Sequence, residues 1–120
     1  MITEDYVSYE TAKLLKEKGF DEKCYCHYSS DGRTQHWNYQ SPIDGISAPS
    51  LQMTMKWLRN TYNVHVVPKY DFYGGFYTGR IYDGRRETAM ERNDYIALTG
   101  YSKYEEAAEA AIKYCLKNLI

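Results

Sequence analysis

The sequence predicts an α+β fold in a single domain, residues 1–120: an antiparallel sheet of about four strands in two hairpins, with an N-terminal, a central and a C-terminal helix. Three observations predict it. In Leu51–Tyr62 the residues Leu51, Met55, Leu58 and Tyr62 recur at helical spacing, and Met53 and Trp57 widen the same apolar side. Asp31-Gly32 and Gly74-Gly75 are two-residue turn signals, each set between strand-forming runs. A final run carries Tyr104, Ala108, Ala111, Ile112, Cys115, Leu116 and Leu119 on one stripe.

The first helix follows Ser8, a good cap, and runs to Lys18 with Ala12, Leu14 and Leu15 apolar and Glu10 near its positive end. Gly19 stops it, and Phe20 is spaced to fold back onto the last turn. Lys13, Lys16 and Glu17 are left for water.

A turn at Asp31-Gly32 sets Ser30 opposite Arg33, Tyr28 opposite Gln35, Cys26 opposite Trp37 and Cys24 opposite Tyr39. Because side chains alternate, Cys24, Cys26, Tyr28, Trp37 and Tyr39 share one face, read as core. Tyr25, His27, Thr34, His36 and Asn38 share the other, read as wet. Ser41 to Pro49, with two prolines and a glycine, reads as a connecting loop, and Pro49-Ser50 as the start of the central helix. Asn63 tolerates the left-handed conformation that ends a helix, and Val64-His65-Val66-Val67 suits a strand.

Pro68 points to an edge strand or a bulge. A turn at Gly74-Gly75 sets Phe72 opposite Tyr77, Tyr70 opposite Gly79 and Pro68 opposite Ile81. Val64, Val66, Tyr70, Phe72, Tyr77 and Ile81 then share one face; Lys69, Asp71, Tyr73, Phe76, Thr78, Arg80 and Tyr82 share the other. From residue 83 to 100 the pattern fades into loop, with Tyr95-Ile96-Ala97-Leu98 a short strand at most. Ser102 and Glu105 form a capping box for the last helix, whose Lys113 and Lys117 suit its negative end.

Composition narrows the function. A chain of 120 residues with 43% hydrophobic and 26% charged residues can bury a core. Its net charge of -1 gives no bulk attraction to nucleic acid or to an anionic membrane. No apolar run nears the ~20 residues of a membrane span, the first residues carry no secretion-signal pattern, and three cysteines suit reduced thiols. The expected location is the cytoplasm. Fourteen tyrosines are the unusual feature; such rings build either an amphipathic core or a sticky, soluble face.

Cys24, Cys26, His27 and His36 have the residue types of a zinc site, but the hairpin register separates cysteines from histidines. His27 opposite His36 remains as a two-imidazole pair in want of a third ligand, and an ordinary polar surface explains it as well. No nucleophile elbow and no phosphate-binding glycine motif is present, so no catalytic, cofactor or metal residue is assigned. The candidate binding surface is Lys69, Tyr73, Phe76, Arg80 and Tyr82, continued by Arg85, Arg86 and Arg92. Rings stack on bases and arginines meet phosphate, so it suits single-stranded nucleic acid; a solvated face or a tyrosine-rich homo-oligomer interface is the plainer account.

Three stretches carry a resemblance: Val7 to Glu22 (VSYETAKLLKEKGFDE), Ala48 to Met53 with Lys56-Trp57-Leu58-Arg59, and Tyr104 to Leu116. In these the chain resembles small uncharacterised proteins encoded in genomes and prophage-like elements of gut Bacteroides. The resemblance implies a fold and brings no activity or site residues. The expected function is a non-enzymatic accessory or interaction protein acting on a protein partner or on itself as a homodimer. The alternatives are a weak single-stranded nucleic-acid binder and a metal- or thiol-dependent enzyme.

Overall fold

A computed structural model describes residues 2–39 and 44–120, so part of the expected loop Ser41–Pro49 lies outside the described residues. Among the described residues the chain is α+β, with four helices and six strands in two three-stranded antiparallel sheets. The sheets are more numerous in strands than the sequence predicts, and one helix more appears. Contacts gather into two compact units, Met1–Leu51 and Gln52–Ile120.

In the first unit, α1 (Tyr9–Glu17) is capped by Ser8, whose hydroxyl accepts from the Thr11 amide at 3.3 Å. Gly19 takes φ +86°, and the amides of Gly19 and Phe20 donate to the Lys16 and Leu15 carbonyls at 3.1 and 3.0 Å. These are the two bonds of the glycine stop that the sequence predicts. Strands β1 (Cys26–Tyr28), β2 (Gln35–Trp37) and β3 (Ile46–Ser47) form a sheet in the order β2-β1-β3, with α1 packed on β3. Residues 46–47, expected as loop, are thus strand. The Tyr6–Ser50 bridge and the bond from the Tyr28 hydroxyl to the Val7 carbonyl at 2.9 Å tie the N-terminal segment to this core.

The predicted register of the first hairpin holds: Cys26 faces Trp37, His27 faces His36 and Tyr28 faces Gln35. The turn is longer than two residues. Ser29 and Thr34 close a four-residue loop in which only Gly32 has positive φ, while the Asp31 carboxylate accepts from the Ser29 hydroxyl and the Arg33 amide. Adding one residue on each side of the reversal leaves every pairing unchanged, which is why the register survives; Ser30 and Arg33, expected as a pair, belong to the loop. The faces hold less well. Cys24, Cys26 and Tyr28 are buried, but Trp37 and Tyr39 are exposed because β2 is a short edge strand, and Trp37 rests edge-on against Tyr6 with ring centres 5.2 Å apart. His27, expected in water, is buried because β3 pairs along its other side and makes β1 the central strand.

α2 (Leu51–Tyr62), all but its first residue in the second unit, buries Thr54, Met55 and Leu58, while Met53 is exposed, narrowing the apolar side that the sequence predicts. Asn63 takes φ +56°, accepts the Gly84 amide at its carbonyl, and donates from its side chain to the Gly84 carbonyl. Then β4 (Val64–Asp71), β5 (Phe76–Asp83) and β6 (Tyr95–Tyr101) form a meander, with α3 (Ala89–Asn93) between β5 and β6 and α4 (Tyr104–Asn118) after it. Pro68 lies in edge strand β4, where its missing N–H costs no ladder bond to a second neighbour. α4 packs on all three strands and buries Ala107, Ala108, Ala111, Ile112, Cys115 and Leu116.

The second hairpin pairs Tyr70 with Tyr77, Pro68 with Gly79 and Val66 with Ile81, two residues away from the predicted register. The reversal is centred on Tyr73-Gly74 rather than Gly74-Gly75. A slip of two keeps every strand side chain on its predicted face, since alternation has period two. Phe72 is the casualty: expected in the core, it stands in the loop, 87% exposed. Two further expectations fail in the chain after it. Residues 83–94, expected as loop, hold helix α3, and the short strand read at Tyr95–Leu98 is present but runs on to Tyr101. The last helix starts one residue late for a Ser102–Glu105 capping box: Lys103 is its cap without a side-chain bond, and the Ser102 hydroxyl donates to the Glu106 carboxylate at 3.3 Å.

Candidate functional site

α4 covers one face of β4-β5-β6, and the residues between the covered positions form the other. Across the three strands they stand in ranks: His65, Tyr82 and Tyr95; Val67, Arg80 and Ala97; Lys69, Thr78 and Thr99; and at the end Asp71 opposite Phe76. Val67 and Tyr95 are 44% and 46% exposed, large apolar side chains on the face turned away from α4.

Cross-strand contacts order this face. The Arg80 guanidinium carbon lies 4.3 Å from the centre of the Tyr95 ring, and the Tyr82 and Tyr95 ring centres are 5.4 Å apart. The Thr78 and Thr99 hydroxyls share a hydrogen bond at 2.7 Å. Such cross-strand pairs hold side chains in place without removing them from solvent.

The β4–β5 loop is pinned by Asp71. Its carboxylate accepts from the amides of Tyr73 and Gly74 at 2.9 and 3.1 Å, and its carbonyl accepts from Gly75, which takes φ +70°. Pinned this way, the loop holds Phe72 and Tyr73 outward, Tyr73 fully exposed. Behind them a file of rings runs from Phe72 to Tyr70, Tyr77 and Tyr104, with centres 5.1, 5.0 and 6.2 Å apart. A groove of about 350 Å³ lies beside the loop, bounded by Lys69, Asp71, Thr78 and Arg80 and by the two tip rings.

Of the surface the sequence singles out, Lys69, Phe76, Arg80 and Tyr82 share the open face and Tyr73 stands at its tip. Arg85, Arg86 and Arg92 lie outside the strands and make bonds of their own. Arg85 grips Asp83 through two nitrogens at 2.9 and 3.1 Å and also donates to the Leu119 carbonyl, which holds the Asp83 carboxyl below its usual range and raises the guanidinium. Arg86 donates to the Glu91 carbonyl, and Arg92 to those of Arg86 and Glu87. These arginines fasten the segment around α3. Phe72, Tyr95, Ala97 and Thr99 were missed; the alternation of Tyr95-Ile96-Ala97-Leu98 was the available signal for two of them, Tyr95 and Ala97.

The first unit holds the remaining chemistry. His27 and His36 face each other as predicted; burial chiefly, and then His36, keep the His27 imidazole neutral, against a bond to the Asn38 backbone that favours the proton. Its Nδ1 is buried with no partner. Among the described residues no three histidine, cysteine or acidic side chains gather to hold a metal. Burial pushes the Cys24 thiol up to about 11 and the Cys115 thiol up to about 12, and raises Cys26 as well, leaving little thiolate for nucleophilic work at neutral pH. Among the described residues no helix is long and apolar enough to cross a membrane. No protein-family model, curated protein or solved structure matches the chain.

Proposed function

We propose that this chain is a non-enzymatic binding module that holds a protein partner through the open face of β4-β5-β6 and the loop at its end. The observation that carries the reading is the display of Phe72 and Tyr73, two large exposed rings on a loop whose Tyr73 and Gly74 amides donate to Asp71. A loop backbone ordered before binding loses less freedom on contact, and buried aromatic anchors dominate the energetics of protein interfaces. A second copy of the chain is one partner of this kind. We take the protein to act in the cytoplasm; its three buried cysteines, all free, support that.

The test is capture from cells that encode the chain, with the tethered protein compared with its Phe72→Ser/Tyr73→Ser variant, alongside sedimentation of the purified chain. The reading expects a defined protein, or self-association, that the variant loses. Capture and sedimentation that are the same for both forms would refute it.

A single-stranded nucleic acid is the second reading, favoured by Arg80 set on Tyr95 with Tyr82 alongside, a ring-and-cation arrangement on which an unpaired base stacks. Retention on a thymidine oligonucleotide that falls steeply with salt would favour it over a protein partner.

A further inference from the structure

We propose that the groove beside the β4–β5 loop takes a carboxylate-bearing segment of the partner protein, with an apolar or aromatic side chain next to its acid. The inference rests on the reading above that this surface binds protein, and adds the chemistry of what enters it.

Charge decides the class. Lys69 stands opposite Thr78, and Arg80 lies two residues along the same face of β5, so both cations border the groove. Among the described residues neither Lys69 nor Arg80 is paired with a carboxylate. Contact with the Tyr95 ring orders the Arg80 guanidinium and uses none of its five N–H donors. Asp71 also borders the groove, and its acceptor Oδ1 is engaged by two loop amides.

Two cations against one carboxylate leave a single net positive charge, which matches one acid. A run of phosphates would set a second anion against Asp71 at close range, where like charges are costly. The exposed rings of Phe72 and Tyr73 at the mouth supply apolar area for the residue beside that acid.

The test is an array of immobilised peptides in which glutamate or aspartate is flanked by phenylalanine, tyrosine, leucine or valine. Each has a twin with the matching amide, and a thymidine oligonucleotide is spotted beside them. Probed with the full chain, acidic spots should exceed their twins by about tenfold, as expected for a charge-assisted bond against a neutral one. Binding should fall several-fold in Lys69→Gln and in Arg80→Gln and remain in Lys16→Gln, a cation on α1. Circular dichroism and thermal melting establish that each variant is folded. Equal acid and amide spots, preference for the oligonucleotide, no retention on any spot, or indifference to both groove variants would overturn the inference. If ring-dependent capture from cells persists alongside such a result, the groove chemistry alone is wrong; if that capture is also lost, the binding surface itself is wrong.

Discussion

A Cβ built on Gly79 would stand 2.6 Å from the carbonyl oxygen of Ala107 and 2.9 Å from the Ala111 Cβ, so β5 and α4 meet where the strand has no side chain. The obstacle is helix backbone, which cannot swing aside. Gly79→Val should therefore destabilise the chain by about 1–3 kcal/mol or more, the range for overpacking a filled core. Urea denaturation reads it; an unchanged midpoint would mean that α4 does not lie this close.

Arg86 and Arg92 are predicted to matter for order around α3 and not for binding. Their guanidinium groups donate to the carbonyls of Arg86, Glu87 and Glu91. Removing either to alanine should speed amide exchange in residues 84–94 by about tenfold, as for loss of a locally stabilising contact of about 1.4 kcal/mol. Partner capture should be unaltered. Lost capture with unchanged exchange would return these arginines to the binding surface.

The fold was legible where one local signal decided the outcome. Ser8, Gly19 and Asn63 act where they stand, through a cap, a glycine stop and a left-handed residue, and all three appear as predicted. The first hairpin kept its register because its loop grew symmetrically about Asp31-Gly32. The second slipped by two because Asp71, through its carboxylate, draws Phe72 and Tyr73 into the turn, a side-chain effect that a pair of glycines does not announce. That slip preserved the faces of Lys69, Phe76, Arg80 and Tyr82 yet released Phe72 from the core. β3 and the extent of β6 were illegible because Ile46, Ser47, Thr99 and Tyr101 pair through backbone contacts set by distant strands, which sequence spacing does not record. Likewise, nothing local shows that Arg85, Arg86 and Arg92 find carbonyls rather than solvent.

His27 makes the first unit acid-sensitive. Its folded imidazole holds a proton less firmly than in the unfolded chain, where the ordinary value is 6.5, so protons bind preferentially to the unfolded form. Stability is then full above that ordinary value and declines as pH falls below it. Comparing denaturation midpoints at about pH 5.5 and about pH 7.5, wild type should lose stability at the lower pH, and His27→Gln should lose less. Equal losses in both would show that His27 binds its proton as firmly in the folded chain as in the unfolded one.

The thiols should be inert in the native protein. Cys24, Cys26 and Cys115 are each at most 3% exposed, and burial raises all three. A chromogenic disulfide reagent at neutral pH should modify them at least about a hundredfold more slowly than in denaturant, in keeping with their depleted thiolate. Fast reaction of one thiol in the folded chain would reopen a thiol-based activity.

The account stands most directly on what touches Tyr73 in a living cell. With a photoreactive benzoylphenylalanine in place of Tyr73, illumination should yield one protein adduct, to a partner or to a second copy, that is absent when the same group replaces Lys16. No adduct at Tyr73, or an adduct to nucleic acid alone, would contradict the claim that this loop and the sheet face behind it hold a protein.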